Sequence, residues 1–579
     1  MSDLLRIAMA QINSSVGDFE GNKRKIINCI NKAKSVKADI IAFPELAITG
    51  YPPQDLLFNK KFIQSNLEVL NEIISESNDI TSILGFVDID HNANIYNSAA
   101  IISNKTLKGV YHKIHLPNYG VFDEKRYFSK GKNTKLIALG NTRIGISICE
   151  DIWHPNGPIL EQANQGAQLS ININGSPYHA GKKKVRENLL KSQATNNNLF
   201  IAYINMVGGQ DELVFDGNSM LLDPSGKIIS KGNQFKEDLV FTDLKIDSRR
   251  EENAKLLNPT SSSNAAVGEA VGHELIHLSN KLTPNKLKLR RNKPTQYNDI
   301  EEIYAALVLG TKDYVHKCGF EKVIVALSGG IDSSLVTTIA VDALGPENVT
   351  SVSLPSKYSS QSSIDDAKLL SSNLGINLQT IPINSSVNIF EKTLIPFLDD
   401  HEDDLTNQNI QSRIRGLIMM ALSNNSGALV LTTGNKSEMA VGYATIYGDM
   451  AGGYAVIKDV PKTLVYKLAS HRNSINKLII PASVILKPPS AELKPNQKDQ
   501  DYLPEYEVLD EILKEYIENE NSPEEISEKG FSLKLVEEII GMVDRSEYKR
   551  QQSAPGIKIT SKHFGRDRRM PISNQFGVN

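Results

Sequence analysis

The sequence predicts an α/β protein of two domains, on three observations. Apolar, β-branched runs alternate with segments of helical spacing along most of the chain. At 579 residues the chain exceeds the size at which a single hydrophobic core stops growing. Between residues 248 and 295 the alternation gives way to charge and turn formers, including Ser248-Arg249-Arg250-Glu251-Glu252 and Asn258-Pro259-Thr260-Ser261-Ser262-Ser263-Asn264. Such a stretch, with no sustained period, reads as a linker lying on a surface. The expected division is a domain over 1–247, a linker over 248–295 and a second domain over 296–579.

In the first domain, strands are expected at 5–10, 40–43, 83–87, 99–102, 144–148 and 199–205. Residues 22–36 carry Ile26, Ile27, Ile30 and Ala33 at helical spacing. The second domain opens with a helix near 298–317 and a strand at 322–327. Further strands at 349–354, 378–383 and 428–432 alternate with helical segments, as βαβ units of a parallel sheet require. No internal repeat is present.

Composition narrows the function classes. Hydrophobic content of 40% and charged content of 23% are ordinary for a soluble globular chain. A net charge of -3 leaves no basic footprint for nucleic acid. No apolar stretch has membrane-spanning length, and Met1-Ser2-Asp3-Leu4 does not resemble a signal peptide. Cys29, Cys149 and Cys318 are too few and too scattered for a disulfide framework or a zinc site. These features point to a reducing, cytoplasmic enzyme with no membrane or nucleic-acid partner.

The second domain holds the strongest chemical signal. The apolar strand ending at Leu327 runs into Ser328-Gly329-Gly330-Ile331-Asp332-Ser333-Ser334. A Gly-Gly turn lets backbone approach an anion, and the helix that follows offers unpaired N–H groups. The Gly-Lys-Ser/Thr ending of a Walker loop is absent, which disfavours that class of nucleotide hydrolase. Asp332 inside a phosphate cradle makes sense with a bridging Mg²⁺; the plainer alternative is a capping Asp after a turn. A second loop, Thr432-Thr433-Gly434-Asn435-Lys436-Ser437-Glu438, also ends an apolar strand. Two such loops at strand C-termini share one crevice in open α/β sheets. Glu438 then suits a second Mg²⁺ or substrate contact, and Lys462 the leaving pyrophosphate.

These motifs, with Tyr447-Gly448-Asp449-Met450-Ala451-Gly452-Gly453, Pro461-Lys462-Thr463, Pro489-Ser490-Ala491-Glu492-Leu493 and Ala554-Pro555-Gly556-Ile557, resemble the NAD synthetase family. The resemblance spans about residues 300–575 and implies a Rossmann-like, parallel-sheet ATP pyrophosphatase domain. It implies that ATP adenylates the nicotinate carboxylate of deamido-NAD, and that ammonia then displaces AMP. By resemblance, Leu327, Ser328, Gly329, Gly330, Ile331, Asp332, Ser333, Ser334, Thr433 and Lys462 contact ATP. Asn409, Glu438 and Lys549 contact deamido-NAD, and Arg413 joins them because it lies one helical turn beyond Asn409. Asp332 and Glu438 are the expected Mg²⁺ ligands. The acidic segment 501–528 reads as a solvated helix; the basic segment 545–569 lies either near dinucleotide phosphates or on the surface.

In the first domain, Cys149 ends an alternating strand and is followed by Glu150-Asp151-Ile152-Trp153. Most unpaired cysteines are simply buried, so Cys149 alone decides nothing. Glu45, in Phe43-Pro44-Glu45, and Lys113, in His112-Lys113-Ile114-His115-Leu116-Pro117, also stand at the ends of apolar segments. The Glu, Lys, Cys order in these contexts resembles the nitrilase superfamily over residues 3–245 and implies an αββα sandwich. A thiol is mostly protonated at neutral pH and must be activated by a base or cation. By resemblance Glu45 is the base, Lys113 stabilises the oxyanion, and Glu124 is an auxiliary acid. A Cys–His pair through His112 or His115 is the weaker alternative.

Where such a domain is fused to an NAD synthetase, the resemblance is to the glutamine-dependent NAD synthetase family. It implies ammonia release from glutamine through a γ-glutamyl thioester and internal passage of that ammonia. Tyr119, Ser176 and Lys182 would hold the glutamine, with Lys183, Lys184 and Arg186 as competing cations for the basic position. The implied reaction uses glutamine, ATP, Mg²⁺ and deamido-NAD, in a homo-oligomer assembled through the synthetase domain. Rival readings are another pyrophosphatase-class amidotransferase, a carbon–nitrogen hydrolase with a nucleotide-sensing module, and an ammonia-only enzyme with a dead first domain. Segments 356–363 and 491–505, rich in polar and turn residues, are the lid candidates.

Overall fold

The computed structural model describes residues 4–246, 272–279, 282–286, 288–289, 294–295, 297–397, 405–475 and 478–576. It divides into two units. One comprises the residues up to Gln210 with Phe215–Tyr297; the other comprises Asp211–Val214 and the residues from Asn298 on.

The first unit is a four-layer αββα sandwich built on two sheets. One sheet has six strands in the spatial order Asp238–Lys245, Leu4–Gln11, Ile40–Ala42, Thr81–Ile89, Ile95–Ser103, Thr106–His112. The other has seven, in the order Ile228–Lys231, Met220–Leu222, Phe200–Asn205, Leu169–Asn174, Thr142–Ile148, Asn133–Leu139, Gly272–Ser279. Strand alternation explains the layers. Leu5, Ile7 and Met9 face inward and pack with Ile144, Ile146 and Ile171 of the other sheet. Their neighbours Ala8 and Ala10 face outward against Ile26 and Ile30 of helix Phe19–Ser35 and Val69 and Ile73 of helix Lys60–Glu76. On the far side, Leu190 and Ala194 of helix Lys182–Asn197 cover Leu136, Tyr203 and Met220. Each fully buried Ile or Leu in these layers contributes about 1.5–3 kcal/mol.

The segment expected to be a linker contains a strand. Gly272–Ser279 pairs in parallel with Asn133–Leu139, and Ile276 reaches the core between the sheets. Three apolar residues, Leu275, Ile276 and Leu278, set among His and Glu carry little apolar signal, so the turn-rich flanks dominate the sequence reading.

The second unit is built on a five-stranded, wholly parallel sheet, in the order Asn377–Thr380, Val349–Ser353, Val323–Ala326, Leu429–Thr432, Tyr454–Ala455. Helix Asp299–Lys317 precedes it, started by a reciprocal cap between Asn298 and Glu301. Helices Tyr506–Ile517, Pro523–Ser527 and Leu533–Arg545 form a separate cluster around Leu509, Ile512, Val536 and Ile539. The acidic helix is thus amphipathic rather than wholly solvated, and Asp510 accepts from Ser437 Oγ and from Thr463 N–H at 2.9 Å.

The basic tail is mostly consumed by the fold. Arg550 is buried, donating to the Ala440 carbonyl at 2.6 Å and to Glu547 at 2.7 Å, and Arg568 pairs with Asp544 at 2.9 Å. A buried node ties the tail to the sheet. Asp459 accepts from Ile559 and Thr560 N–H, both at 2.7 Å, and lies 3.0 Å from Lys436 Nζ. Burial opposes the charge on Asp459, but Lys436, His563 and Lys558 outweigh it and hold the carboxyl below its usual range. Among the described residues, no helix is long and apolar enough to cross a membrane.

Candidate active sites

In the first unit, three strand ends deliver the three expected residues. Glu45 follows Ile40–Ala42, Lys113 follows Thr106–His112, and Cys149 opens the 3-10 turn Cys149–Trp153 after Thr142–Ile148. Lys113 Nζ lies 2.6 Å from Glu45 Oε1 and 2.9 Å from Glu124 Oε1. Burial disfavours the ammonium, but the two carboxylates outweigh it and raise the Lys113 pKa well above its usual range. Cys149 is 3% exposed and sits at φ 43°, in the left-handed region rarely adopted by a residue with a side chain. Burial pushes the thiol well up, the Glu45 charge adds to that, and Lys113 opposes it. The resting nucleophile is therefore a thiol, and its attack must be coupled to proton transfer.

Residues outside the sequence expectation hold this group in place. Glu45 also accepts from Asn97 Nδ2 at 2.7 Å and from Gly175 N–H at 2.8 Å, which leaves it few orientations. Tyr51 donates to Glu124 at 3.0 Å. Asp151 receives Ile148, Ile114 and His115 N–H at 3.0, 3.2 and 2.8 Å, binding the Lys113 strand end to the Cys149 turn. Only the run Cys149-Glu150-Asp151 carried a signal for these partners in the sequence.

Burial raises the Glu124 carboxyl to about 7, with Lys113 opposing and Glu45 adding to the rise. A carboxyl raised on folding stabilises the protein fully below its unfolded value of 4.5 and loses that contribution as pH climbs through about 7. Glu124→Gln removes the titration. Its first thermal midpoint, compared with the parent's, should therefore shift in the variant's favour between pH 5 and pH 8. A constant offset across that range would contradict this.

The expected glutamine contacts fall around the same centre. Tyr119 and Lys182 lie within electrostatic reach of Cys149. Tyr119 donates to Glu150 at 2.9 Å, and Lys182 Nζ stands 4.3 Å from the centre of the Trp153 ring. Ser176 follows Gly175 and is buried, its N–H donating to Asn205 at 2.9 Å. Among the competing cations, Arg186 is fully buried and forks onto Asp216 at 3.0–3.1 Å. It is committed there, which leaves the lysines at 182–184 for the basic position. The two histidines are engaged elsewhere: His112 pairs with Asp88 at 2.8 Å, and His115 stacks on His154 at 3.7 Å.

In the second unit, strand Val323–Ala326 leads through Leu327-Ser328-Gly329-Gly330 into helix Ile331–Leu344. Gly329 has φ +84°, which the turn requires. Ser328 Oγ accepts from Gly330 N–H at 3.2 Å and lies 3.0 Å from Ser333 Oγ, while Ser334 Oγ donates to the Gly330 carbonyl at 2.7 Å. Leu327 and Ile331 are buried in the core, which withholds their side chains from a ligand.

Lys462 joins the two loops. Its Nζ is 2.5 Å from Asp332 Oδ2 and 3.3 Å from Glu438 Oε1, and Asn435 Nδ2 donates to Asp332 at 2.9 Å. Burial raises the Glu438 carboxyl to about 8, against Lys462 and with the help of Asp332. Asp499, buried and bonded to Tyr506 OH at 2.8 Å, belongs to the same electrostatic cluster. Asn409, Arg413 and Lys549 converge on the loop 442–449. Asn409 accepts from Thr445 Oγ1 at 2.9 Å, Arg413 donates to Ile446 O at 3.3 Å, and Lys549 donates to Gly442 O at 2.8 Å. Thr433 lies half-buried at the end of strand Leu429–Thr432. Among the described residues, no group of three or more His, Cys, Asp or Glu is placed to hold a metal ion.

The two sites define a class: a cysteine carbon–nitrogen hydrolase carried on the same chain as a nucleotide-dependent synthetase. Residues 6–252 match the carbon–nitrogen hydrolase family and residues 303–553 the NAD synthase family. The chain is 47% identical to a glutamine-dependent NAD(+) synthetase of Thermotoga maritima, over 99% of both sequences. It is also 47% identical to one of Aquifex aeolicus, over 99% of this chain and all of that one. Among solved structures, a glutamine-dependent NAD(+) synthetase of Acinetobacter baumannii in complex with ADP is 39% identical, with a TM-score of 0.74 over the whole of both chains. This chain belongs to the glutamine-dependent NAD(+) synthetase family.

Proposed function

We propose that this chain hydrolyses glutamine at Cys149 and uses the ammonia to convert deamido-NAD into NAD, with ATP split to AMP and pyrophosphate. The observation that carries the first half is the buried Glu45–Lys113–Glu124 group beside Cys149. As Cys149 Sγ attacks the carboxamide carbon, Glu45 takes the thiol proton and Lys113 meets the negative charge developing on oxygen. Glu45 returns the proton to the departing ammonia, leaving a γ-glutamyl thioester. Glu45 then takes a proton from water, the hydroxide adds to the thioester, and glutamate leaves as the thiol is restored. Tyr119, Ser176 and Lys182 hold the glutamine, with Lys182 as a point charge for its α-carboxylate.

In the second half, the backbone of 327–334 and the hydroxyls of Ser328, Ser333 and Ser334 receive ATP phosphates, and Thr433 adds a contact. Asn409, Arg413, Glu438 and Lys549 bind deamido-NAD. Its nicotinate carboxylate attacks the α-phosphorus and pyrophosphate leaves beside Lys462, whose charge favours the departing anion. Ammonia then attacks the acyl carbon and AMP leaves. Asp332 and Glu438 suit a Mg²⁺ ion, because two protein carboxylates plus substrate phosphates are the ligand set this cation prefers. Bound there, it would neutralise phosphate charge.

The domains proposed for these steps are 1–247 and 296–579. A homo-oligomer formed through the second domain is proposed, and a catalytic thiol suits the reducing cytoplasm. Incubation with glutamine, ATP, Mg²⁺ and deamido-NAD should produce NAD, AMP and pyrophosphate in equal amounts. Release of ADP and phosphate, or pyrophosphate release without deamido-NAD, would overturn the assignment.

A further inference from the structure

Glu492 takes no part in the chemistry above, yet it occupies a costly conformation. Its φ is +48°, and it carries a full side chain there. The carboxylate is fully engaged: Ser360 Oγ and Ser363 Oγ each donate to Oε1 at 2.7 Å, and Ser360 N–H donates to Oε2 at 3.2 Å. Ser360 is the N-cap of helix Gln361–Leu374, its Oγ accepting from Ser363 N–H at 3.2 Å. One side chain therefore joins the loop around 492 to the start of that helix. These are the two polar segments that the sequence offers as lid candidates.

Ser363 also touches the phosphate loop. A Cβ built on Gly329 would stand 2.1 Å from the Ser363 carbonyl oxygen, so the two backbones are in direct apposition. Lys487 spans the same contact, with Nζ 2.9 Å from Ser363 Oγ, 2.9 Å from Asp366 and 3.4 Å from the Gly329 carbonyl. The left-handed turn at Gly329 aims the N–H groups of the cradle, and Ser363 is the wall against which that turn rests.

We propose that Glu492 is a positioning residue for the phosphate loop: by holding Ser360 and Ser363 it keeps the Ser363 backbone against Gly329 and so fixes the cradle that receives ATP. The proposal rests on the assignment of 328–334 to ATP phosphates. Nothing in it requires Glu492 to touch substrate.

The test uses the full-length protein with ammonium as nitrogen donor and follows pyrophosphate release against ATP concentration. Glu492→Gly accepts a positive φ and removes the side chain with its carboxylate. We expect it to raise the KM for ATP about tenfold or more, the scale of losing one or two hydrogen bonds. KM for deamido-NAD, the rate of glutamine hydrolysis and the thermal midpoint should stay near the parent values. Glu492→Gln should recover most of the loss. Ser360→Ala with Ser363→Ala should raise the KM for ATP at least as much, because it also removes the helix cap and the Lys487 partner, and adding Glu492→Gly to it should add little, since the carboxylate's side-chain donors are already gone. A parental KM for ATP in Glu492→Gly, or effects that multiply, overturns the proposal. Asp332→Asn, run in parallel, separates the causes. If it too leaves ATP turnover intact, the phosphate-loop assignment itself is wrong; if it abolishes turnover while Glu492→Gly is silent, only the positioning role falls.

Discussion

Cys149→Ala is expected to abolish glutamine-supported formation of NAD while leaving ammonia-supported formation close to the parent rate. The loss with glutamine should be on the order of 10⁴-fold or more, the scale seen when a covalent nucleophile is removed. The asymmetry follows from where Cys149 sits. It is buried among Glu45, Lys113 and Glu124 in the first unit, whereas the phosphate loop belongs to the second. Alanine also lightens the site, since a thiol held neutral by burial leaves no unpaired charge behind. The measurement is NAD formation with saturating glutamine and, separately, with ammonium chloride at a pH where free ammonia is present. Unchanged activity with glutamine would mean that the first unit is a scaffold.

Lys462→Met is expected to stop synthesis with either nitrogen source. Lys462 is 2% exposed at its side chain and is the cation between Asp332 and Glu438. Methionine keeps the bulk and removes the charge, so the two carboxylates face each other unbalanced. Breaking a buried ion pair from one side costs about 3–5 kcal/mol, and losing a charge placed for a leaving group costs about 10²–10³ in kcat. Pyrophosphate release should fall with both donors, and the denaturation midpoint should fall with it. Retention of ammonia-driven turnover would remove Lys462 from the proposed mechanism.

The sequence disclosed the reacting groups more readily than what surrounds them. Glu45, Lys113 and Cys149 stand at strand ends, and the Gly-Gly turn sits between a strand and a helix; local pattern suffices for both. The strand Leu169–Asn174 shows how burial escapes the pattern: the alternation of Ser170, Asn172 and Asn174 with its apolar residues implies one solvated face, yet all are fully buried. Their side chains are partly satisfied across the sheet, Asn172 by Ser147 and Asn174 by Ile204 O, and such partners are remote in sequence. Asn97 and Tyr51 were hidden for the same reason. A hydrogen-bond partner brought in from another strand leaves no periodic mark. Arg186 shows the converse, since its cationic type suited a substrate carboxylate and only the pairing with Asp216 removes it.

The node at Asp459 bears on how this chain is made. Translation proceeds from the N-terminus, and domains tend to fold as they emerge. The six-stranded sheet has its partner strands, Leu4–Gln11 and Asp238–Lys245, early in the nascent chain. The parallel-sheet unit does not: Asp459 and Lys436 wait for Ile559 and Thr560, which follow Asp459 by 100 and 101 residues. Until those residues leave the ribosome, the carboxylate has no backbone donors and the loop bearing Glu438 lacks its anchor. A message truncated between the codons for Asp459 and Ile559 would therefore yield a chain able to fold its first sheet and unable to close this node, a substrate for quality control.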